Sequence, residues 1–374
     1  MKNNRLLLFF VLISVSIILT ACTGGAGQAS SWPGLTLDPD GEVAYVAYGT
    51  AIYAVNLESF TQVWRYPLER DNKINFFATP AITEDGQLIA GSFNHLLYSI
   101  NLENGQGNQQ SWPFDGAENT YVGGTLADGN MIYAPSSDNS LYALDLSGNL
   151  KWTYAAEDAV WGTPVTDGKY IFLPSMDHRM YALDPQTGRE VWKTEPLNGS
   201  IAGVPTLGPG GQLFVGTFGS ELVALDSATG KVLWRAPASN WVWTGPALDN
   251  DWLYFGDLDG VLHGLELTTD SYLERWVYPN ANSELSGEPE VGQITGKPVV
   301  LDGVVYFGSE SGYVYAIDAE SGEFKWAQPV NGKIYTDLKL VGDKILVATM
   351  GKDELLYMFE TDGSQFRSPF IPQN

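Results

Sequence analysis

Few side chains in this sequence are of types and spacings that could carry chemistry. There are three histidines, His95, His178 and His263, and one cysteine, Cys22. The histidines fall at comparable places in three different copies of a repeat described below, so a shared metal site would need distant segments to converge. Solvent-facing turn residues are the simpler expectation. Asp257-Leu258-Asp259-Gly260 spaces two carboxylates as a calcium loop does, but it lacks the later ligands of such a loop and is expected to be a hairpin turn. Gly208-Pro209-Gly210-Gly211 reads as a turn and not a phosphate cradle, and no Gly-Lys pair in the chain is followed by Ser or Thr. Neither G-x-S-x-G nor H-E-x-x-H occurs. A lone cysteine forms no intramolecular disulfide and no C-x-x-C site. The expectation is therefore no catalytic residue, no cofactor and no metal.

Cys22 has another use. Residues 1–5 (MKNNR) are basic, Leu6 to Leu19 is an apolar run of 14 residues, and Leu19-Thr20-Ala21-Cys22 follows. The run is too short for a comfortable membrane span. This arrangement resembles a bacterial lipobox: residues 1–21 would be a lipoprotein signal peptide and Cys22 the lipidated first residue. Residues 22–31, rich in Gly, Ala and Ser, read as a flexible tether, and 32–374 as the folded domain. The expected location is extracytoplasmic, lipid-anchored to the bacterial membrane. Net charge is −24, from 44 acidic and 20 basic residues. Such a surface repels nucleic acid.

What must position any site is an internal repeat. Ala182, Asp184, Thr187, Gly188 and Trp192 recur as Ala224, Asp226, Thr229, Gly230 and Trp234, and with Ser for Thr as Ala316, Asp318, Ser321, Gly322 and Trp326. Ala143, Asp145, Ser147, Gly148 and Trp152 form a copy with one turn residue deleted. Weaker copies carry Trp64, Trp112 and Trp276, and the last has Phe366 in the tryptophan place. The copies lie 40 to 50 residues apart, the length of a four-stranded propeller blade. Inside one copy, short alternating segments are separated by Gly and Asp turns: 161–166, 170–175, 179–184 and 189–194. The sequence thus predicts an all-β fold, an eight-bladed β-propeller of four-stranded antiparallel blades. Trp64, Trp112, Trp152, Trp192, Trp234, Trp276 and Trp326 are expected to dock blade on blade, and the Thr-Gly pair to make a tight turn.

The repeat resembles that of the quinoprotein-type (PQQ-like repeat) β-propellers, over about residues 32 to 370. In that family the resemblance implies that Ala, Gly and Trp lock adjacent blades. One branch comprises long dehydrogenases that hold pyrroloquinoline quinone and calcium at the propeller axis, with a vicinal cysteine disulfide over the quinone. The other comprises small eight-bladed lipoproteins such as the outer-membrane assembly factor BamB, which are scaffolds without a cofactor. This chain has only Cys22, and its largest extra segments are short, 105–111 and 279–293. It looks like the second branch. That resemblance implies a non-catalytic protein-binding scaffold, a monomeric propeller whose partner is a membrane or envelope protein. A quinone-dependent dehydrogenase with an atypical site and a ligand-sensing module are the alternative readings.

Phe77, Trp161 and Trp243 each lie three residues before a proline that opens an innermost strand, and Tyr335 aligns with them. This column should face the funnel mouth, beside the turns near Asn94, Asp138, Asp177 and Asp353. Two roles are open to it: contact with a partner, or packing that plugs the channel.

Overall fold

The structure is a computed structural model and describes residues 32–280, 283, 287–351 and 353–373. The signal sequence, Cys22 and the tether expected from the sequence lie outside the described residues. No helix among the described residues is long and apolar enough to cross a membrane.

The chain folds into eight antiparallel sheets in sequence order, here called blades 1 to 8. Six are four-stranded, and in each the strands lie side by side as the chain runs, innermost first. Blade 4 is representative, with strands Val165–Thr166, Ile171–Pro174, Met180–Leu183 and Glu190–Lys193. The two central strands are buried along their whole length, because each faces a neighbouring blade on both sides. The outer strand is mostly exposed. In blades 2 and 8 three strands are regular. The fourth is reduced to bridges, Leu97 with Phe114 and Ile100 with Gly107 in one, Leu356 with Phe370 and Phe359 with Gln365 in the other.

The core is divided among the blade interfaces, one apolar cluster at each. Blade 2 meets blade 3 through Ile89, Leu97, Ile132 and Leu144. Blade 6 meets blade 7 through Tyr254, Leu262, Phe307 and Ile317. The ring closes the same way, with Leu35, Val46 and Phe60 of blade 1 against Leu346, Met358 and Phe370 of blade 8. Among the described residues no strand is exchanged in this closure: blade 1 is built from 34–66 and blade 8 from 339–370. Side-chain burial holds the ends together, with a hydrogen bond from Gln373 N–H to Gln62 Oε1 of blade 1 beside it, and closure leaves no blade face open to solvent.

Candidate functional site

The repeat signature resolves into two contacts. Within a blade, the small residue pairs directly with the tryptophan across the outer hairpin: Ala182 with Trp192, Ala224 with Trp234, Ala316 with Trp326. A register shift follows at once in each. Between blades, the tryptophan covers the turn glycine of the next. A Cβ on Gly188 or Gly230 would sit 2.5 Å from the ring of Trp152 or Trp192, and both glycines have positive φ. The aspartate before the turn fixes it: Asp184 Oδ1 accepts from the backbone N–H groups of Gln186 and Thr187 and from the Thr187 hydroxyl.

The indole N–H completes the contact. Trp64, Trp152, Trp192, Trp276 and Trp326 donate to Leu102, Pro185, Ser227, Ala319 and Thr361 carbonyls of the next blade, at 2.8–3.1 Å. Trp112 and Trp234 are buried with no partner for Nε1 among the described residues. They face the two irregular turns, the one shortened between Asp145 and Gly148 and the one at Thr268–Ser271 that has no glycine. Trp234 packs on Tyr272 instead, centroids 4.8 Å apart. Trp64, Trp112, Trp234 and Trp276 are buried, while Trp152, Trp192 and Trp326 keep part of their surface exposed. All seven occupy blade interfaces and none lies at the axis.

The axial mouth is where unassigned side chains converge. The residues opening the eight inner strands form a ring there: Trp32, Phe77, Val122, Trp161, Ala202, Trp243, Thr295 and Tyr335. Phe77, Trp161, Trp243 and Tyr335 are the four that the sequence singled out. Trp32 is the member it missed: it precedes one of the weaker copies of the repeat, and blade 1, like blades 3 and 8, has no proline at the marker position. Trp32 leans across the axis, with centroids 5.1–5.3 Å from Phe77, Trp243 and Tyr335. Phe218 extends the patch, stacked on the exposed Trp241 at 4.6 Å and 5.1 Å from Trp243. Among the described residues Trp161 pairs with no other ring; its Nε1 donates to Ser137 Oγ at 3.1 Å. All five ring aromatics are partly exposed.

The surrounding turns are acidic, but not every carboxylate is free. Asp138 accepts from the Glu118 backbone N–H and the Tyr142 hydroxyl, and Asp177 from Glu157 N–H and Tyr181 hydroxyl. They brace the loops. Glu118, Asp158, Asp259 and Asp353 lie exposed around the same end. Asn94 amide donates to Tyr98 hydroxyl.

Two titratable side chains are withdrawn from solvent, the first of them against the sequence expectation. His263 is not a surface residue; it is 4% exposed, on a central strand of blade 6, stacked on Phe255. Its ring nitrogens lie 3.0 Å from Glu274 Oε1 and 3.4 Å from Asp257 Oδ2. Burial alone would raise the Asp257 carboxyl, but His263 and the Val261 and Asp259 N–H groups outweigh it and hold it below the ordinary range. His95 and His178 are exposed turn residues, with positive φ. Asp257–Gly260 is a hairpin turn, with Gly260 N–H donating to Asp257 carbonyl. The second group is Lys297. Its Nζ reaches from the inner edge of blade 7 to Thr206 Oγ1 of blade 5, at 2.9 Å. Desolvation lowers its pKa, against the opposing field of Asp337.

A quinone and a calcium ion do not fit these residues. The cavity behind the aromatics is about 120 Å³, below the few hundred Å³ of ordinary ligand sites. It is narrow because inner strands touch: a Cβ on Gly203 would lie 2.1 Å from Trp243 carbonyl oxygen, and one on Gly296 2.1 Å from that of Thr336. No group of three His, Cys, Asp or Glu among the described residues could hold a metal ion.

No curated protein sequence matches the chain. Among solved structures, BamB from Moraxella catarrhalis superposes with a TM-score of 0.67 at 16% identity, over 84% of this chain and 93% of that one. The computationally designed Ika8 protein superposes with a TM-score of 0.72 at 13% identity, over 90% and 98%. At these identities the likeness is one of fold. The sequence family described as outer membrane protein assembly factor BamB matches residues 25–154, 123–204, 177–289 and 270–366, nearly the whole propeller. The repeat, the eight blades and this match together make the chain a member of the BamB family of PQQ-like repeat propellers.

Proposed function

We propose that the protein is a lipid-anchored, extracytoplasmic scaffold that binds an envelope protein at its aromatic mouth and catalyses nothing. The observation carrying this reading is the convergence of five aromatic residues, partly exposed, at one end of an otherwise regular propeller. The fold asks for tryptophan at the blade interfaces. It does not ask for aromatics around the axis, where Val122, Ala202 and Thr295 fill equivalent places. Aromatics supply contact area at low entropy cost, and the exposed carboxylates favour a partner with Lys or Arg. Family membership supports a role in envelope protein assembly, with Cys22 as the anchor.

The test separates contact from packing. Trp161 is the clean probe, since Trp243 also supports Trp32 and Phe218. In affinity capture from solubilised membranes, Trp161→Ala is expected to reduce partner recovery about tenfold or more, as loss of an interface anchor does. Its melting temperature should stay within a few degrees of wild type. A variant that keeps its partner but melts well below wild type would assign the column to channel packing.

A further inference from the structure

Blade 6 departs from its neighbours at two buried positions where the fold is satisfied by other residues. The second strand ends in a buried serine or threonine in six blades and in Asp257 here, which is 0% exposed. In blades 3, 4 and 7 the serine hydroxyl accepts from the backbone N–H two residues on, and Asp257 Oδ1 does the same for Asp259. One oxygen therefore covers what the turn asks for. On the third strand, the residue before the small one is a tyrosine in six blades, among them Tyr142 and Tyr181, and Val223 in blade 5; here it is His263. A carboxylate buried where a hydroxyl serves costs stability, so its second oxygen is where the departure takes effect.

Asp257 Oδ2 accepts from the backbone N–H groups of Ser239 and Asn240, at 3.0 and 3.3 Å, with His263 Nε2 at 3.4 Å. These two residues begin the segment that carries Trp241 and Trp243 into the mouth. Asn240 Oδ1 accepts from Trp241 N–H, the Asn240 amide donates to Asp259 Oδ1, and Leu258 N–H donates to Trp241 carbonyl. Segment 239–241 and turn 257–260 are thus tied into one piece. On that piece Trp241, 37% exposed, stacks on Phe218, and Trp243 follows against Trp32. Blades 3 and 4 hold the corresponding loop residues, Glu118 and Glu157, by another route. There the acceptor is the partly exposed turn aspartate, Asp138 or Asp177, which also takes the tyrosine hydroxyl. Blade 6 has that aspartate too, as Asp259, but engages it with the Asn240 side chain.

The geometry points to Asp257 and His263 as positioning residues for partner binding: they set segment 239–243 so that Trp241, Trp243 and Phe218 form one contact surface on the rim of the mouth. This rests on the mouth being the binding end. The bonds from Ser239 and Asn240 are charge-assisted, which makes them stronger than bonds to a serine hydroxyl. Rings held in place before binding lose less freedom when a partner arrives. His263 faces Asp257 with one nitrogen and the half-exposed Glu274 with the other, and its stacking on Phe255 fixes the ring against Oδ2. Positions where a repeat gives up its own pattern at a cost in stability are where function is expected.

Two double variants test this. Asp257→Ser with His263→Phe restores the serine of the other blades and fills the tyrosine space without a hydroxyl. Asp257→Ser with His263→Tyr differs by one oxygen and gives Asp259 the hydroxyl partner that Asp138 and Asp177 have. Three quantities are read on each: hydrogen exchange of the Ser239 and Asn240 amides, the melting temperature, and partner recovery in affinity capture from solubilised membranes. In the Phe pair both amides are expected to exchange at least about tenfold faster and partner recovery to fall about tenfold, with melting within a few degrees of wild type. The Tyr pair should bring exchange and recovery back to within about threefold of wild type, a rescue that loss of packing alone would not show. Trp241→Ala removes an exposed ring with the brace intact and should lower recovery about as much as the Phe pair. The proposal is overturned if the two amides exchange no faster in the Phe pair, if they do and recovery is unchanged, if the Tyr pair regains neither, or if Trp241→Ala keeps full recovery. Trp161→Ala, run alongside, separates the two ways of failing. Partner lost there and kept in the Phe pair rejects the positioning role and leaves the mouth as the binding end; partner kept in both rejects the mouth and the positioning role with it.

Discussion

Whether an indole nitrogen finds a carbonyl divides the docking tryptophans in two. Trp192 both packs and donates, to Ser227 carbonyl at 3.0 Å; Trp234 packs on Tyr272 with no acceptor for Nε1 among the described residues. Phenylalanine keeps much of the ring and removes the N–H. Trp192→Phe is therefore expected to cost about 1 kcal/mol more than Trp234→Phe in chemical denaturation, the net worth of one hydrogen bond. Equal losses would show that the indole bonds add nothing to docking. Lys297 gives a prediction with a pH signature. Its folded pKa is lowered, so between that value and the ordinary one near 10.5 the unfolded chain binds the extra proton, and stability rises with pH. Lys297→Met removes the desolvated ammonium and leaves the backbone bond from residue 297 to Asp337 Oδ1 intact. The variant should melt no lower than wild type at pH 7, with any gain fading as the pH approaches 10.5. A large loss at pH 7 would mean that the bond to Thr206 outweighs desolvation.

At the scale of the blade, the repeat was legible because one pattern recurs in register with the strands it encodes. The small residue, Asp, Gly and Trp each map to one place in every well-formed copy. What escaped was whatever broke the pattern. Trp32 was missed because it precedes a weak copy of the repeat that also lacks the proline marker. The innermost strands are shorter than their sequences suggest, two residues in blade 4, because the segment before Val165, with Trp161 and Thr163, lines the axial mouth instead of pairing. His263 was misplaced because its turn resembled the others. Yet a signal was present: the second strands end in buried Ser92, Ser136, Ser175, Thr217, Ser309 and Thr349, and blade 6 alone has Asp257 in that column. A carboxylate buried where hydroxyls suffice needs its own partners, and His263 is one of them. Closure is the other feature sequence could not give, since the last blade has no tryptophan. Phe370, 3% exposed, bridges to Leu356 and packs in the cluster that joins blade 8 to blade 1. Phe370→Ala should cost about 3–5 kcal/mol, read as a fall in the denaturation midpoint. A near-unchanged midpoint would show that the ring does not depend on this seal.

For the whole molecule, the ends of the propeller divide the work. The Thr-Gly turns, with their capping aspartates, occupy one end and are spent on local structure. The other gathers the aromatic ring, with Glu118, Asp158, Asp259 and Asp353 exposed around it. A scaffold reading of the molecule therefore says which end meets its partner. Site-specific photo-cross-linking in intact membranes puts this to the most direct test, with a photoreactive residue at position 161 in one protein and at position 186 in another. The account predicts a discrete cross-link to an envelope protein from position 161 and none from position 186, with both proteins folded and ring-closed. A cross-link from 186 alone, or none from 161 while the partner is still captured, would contradict it.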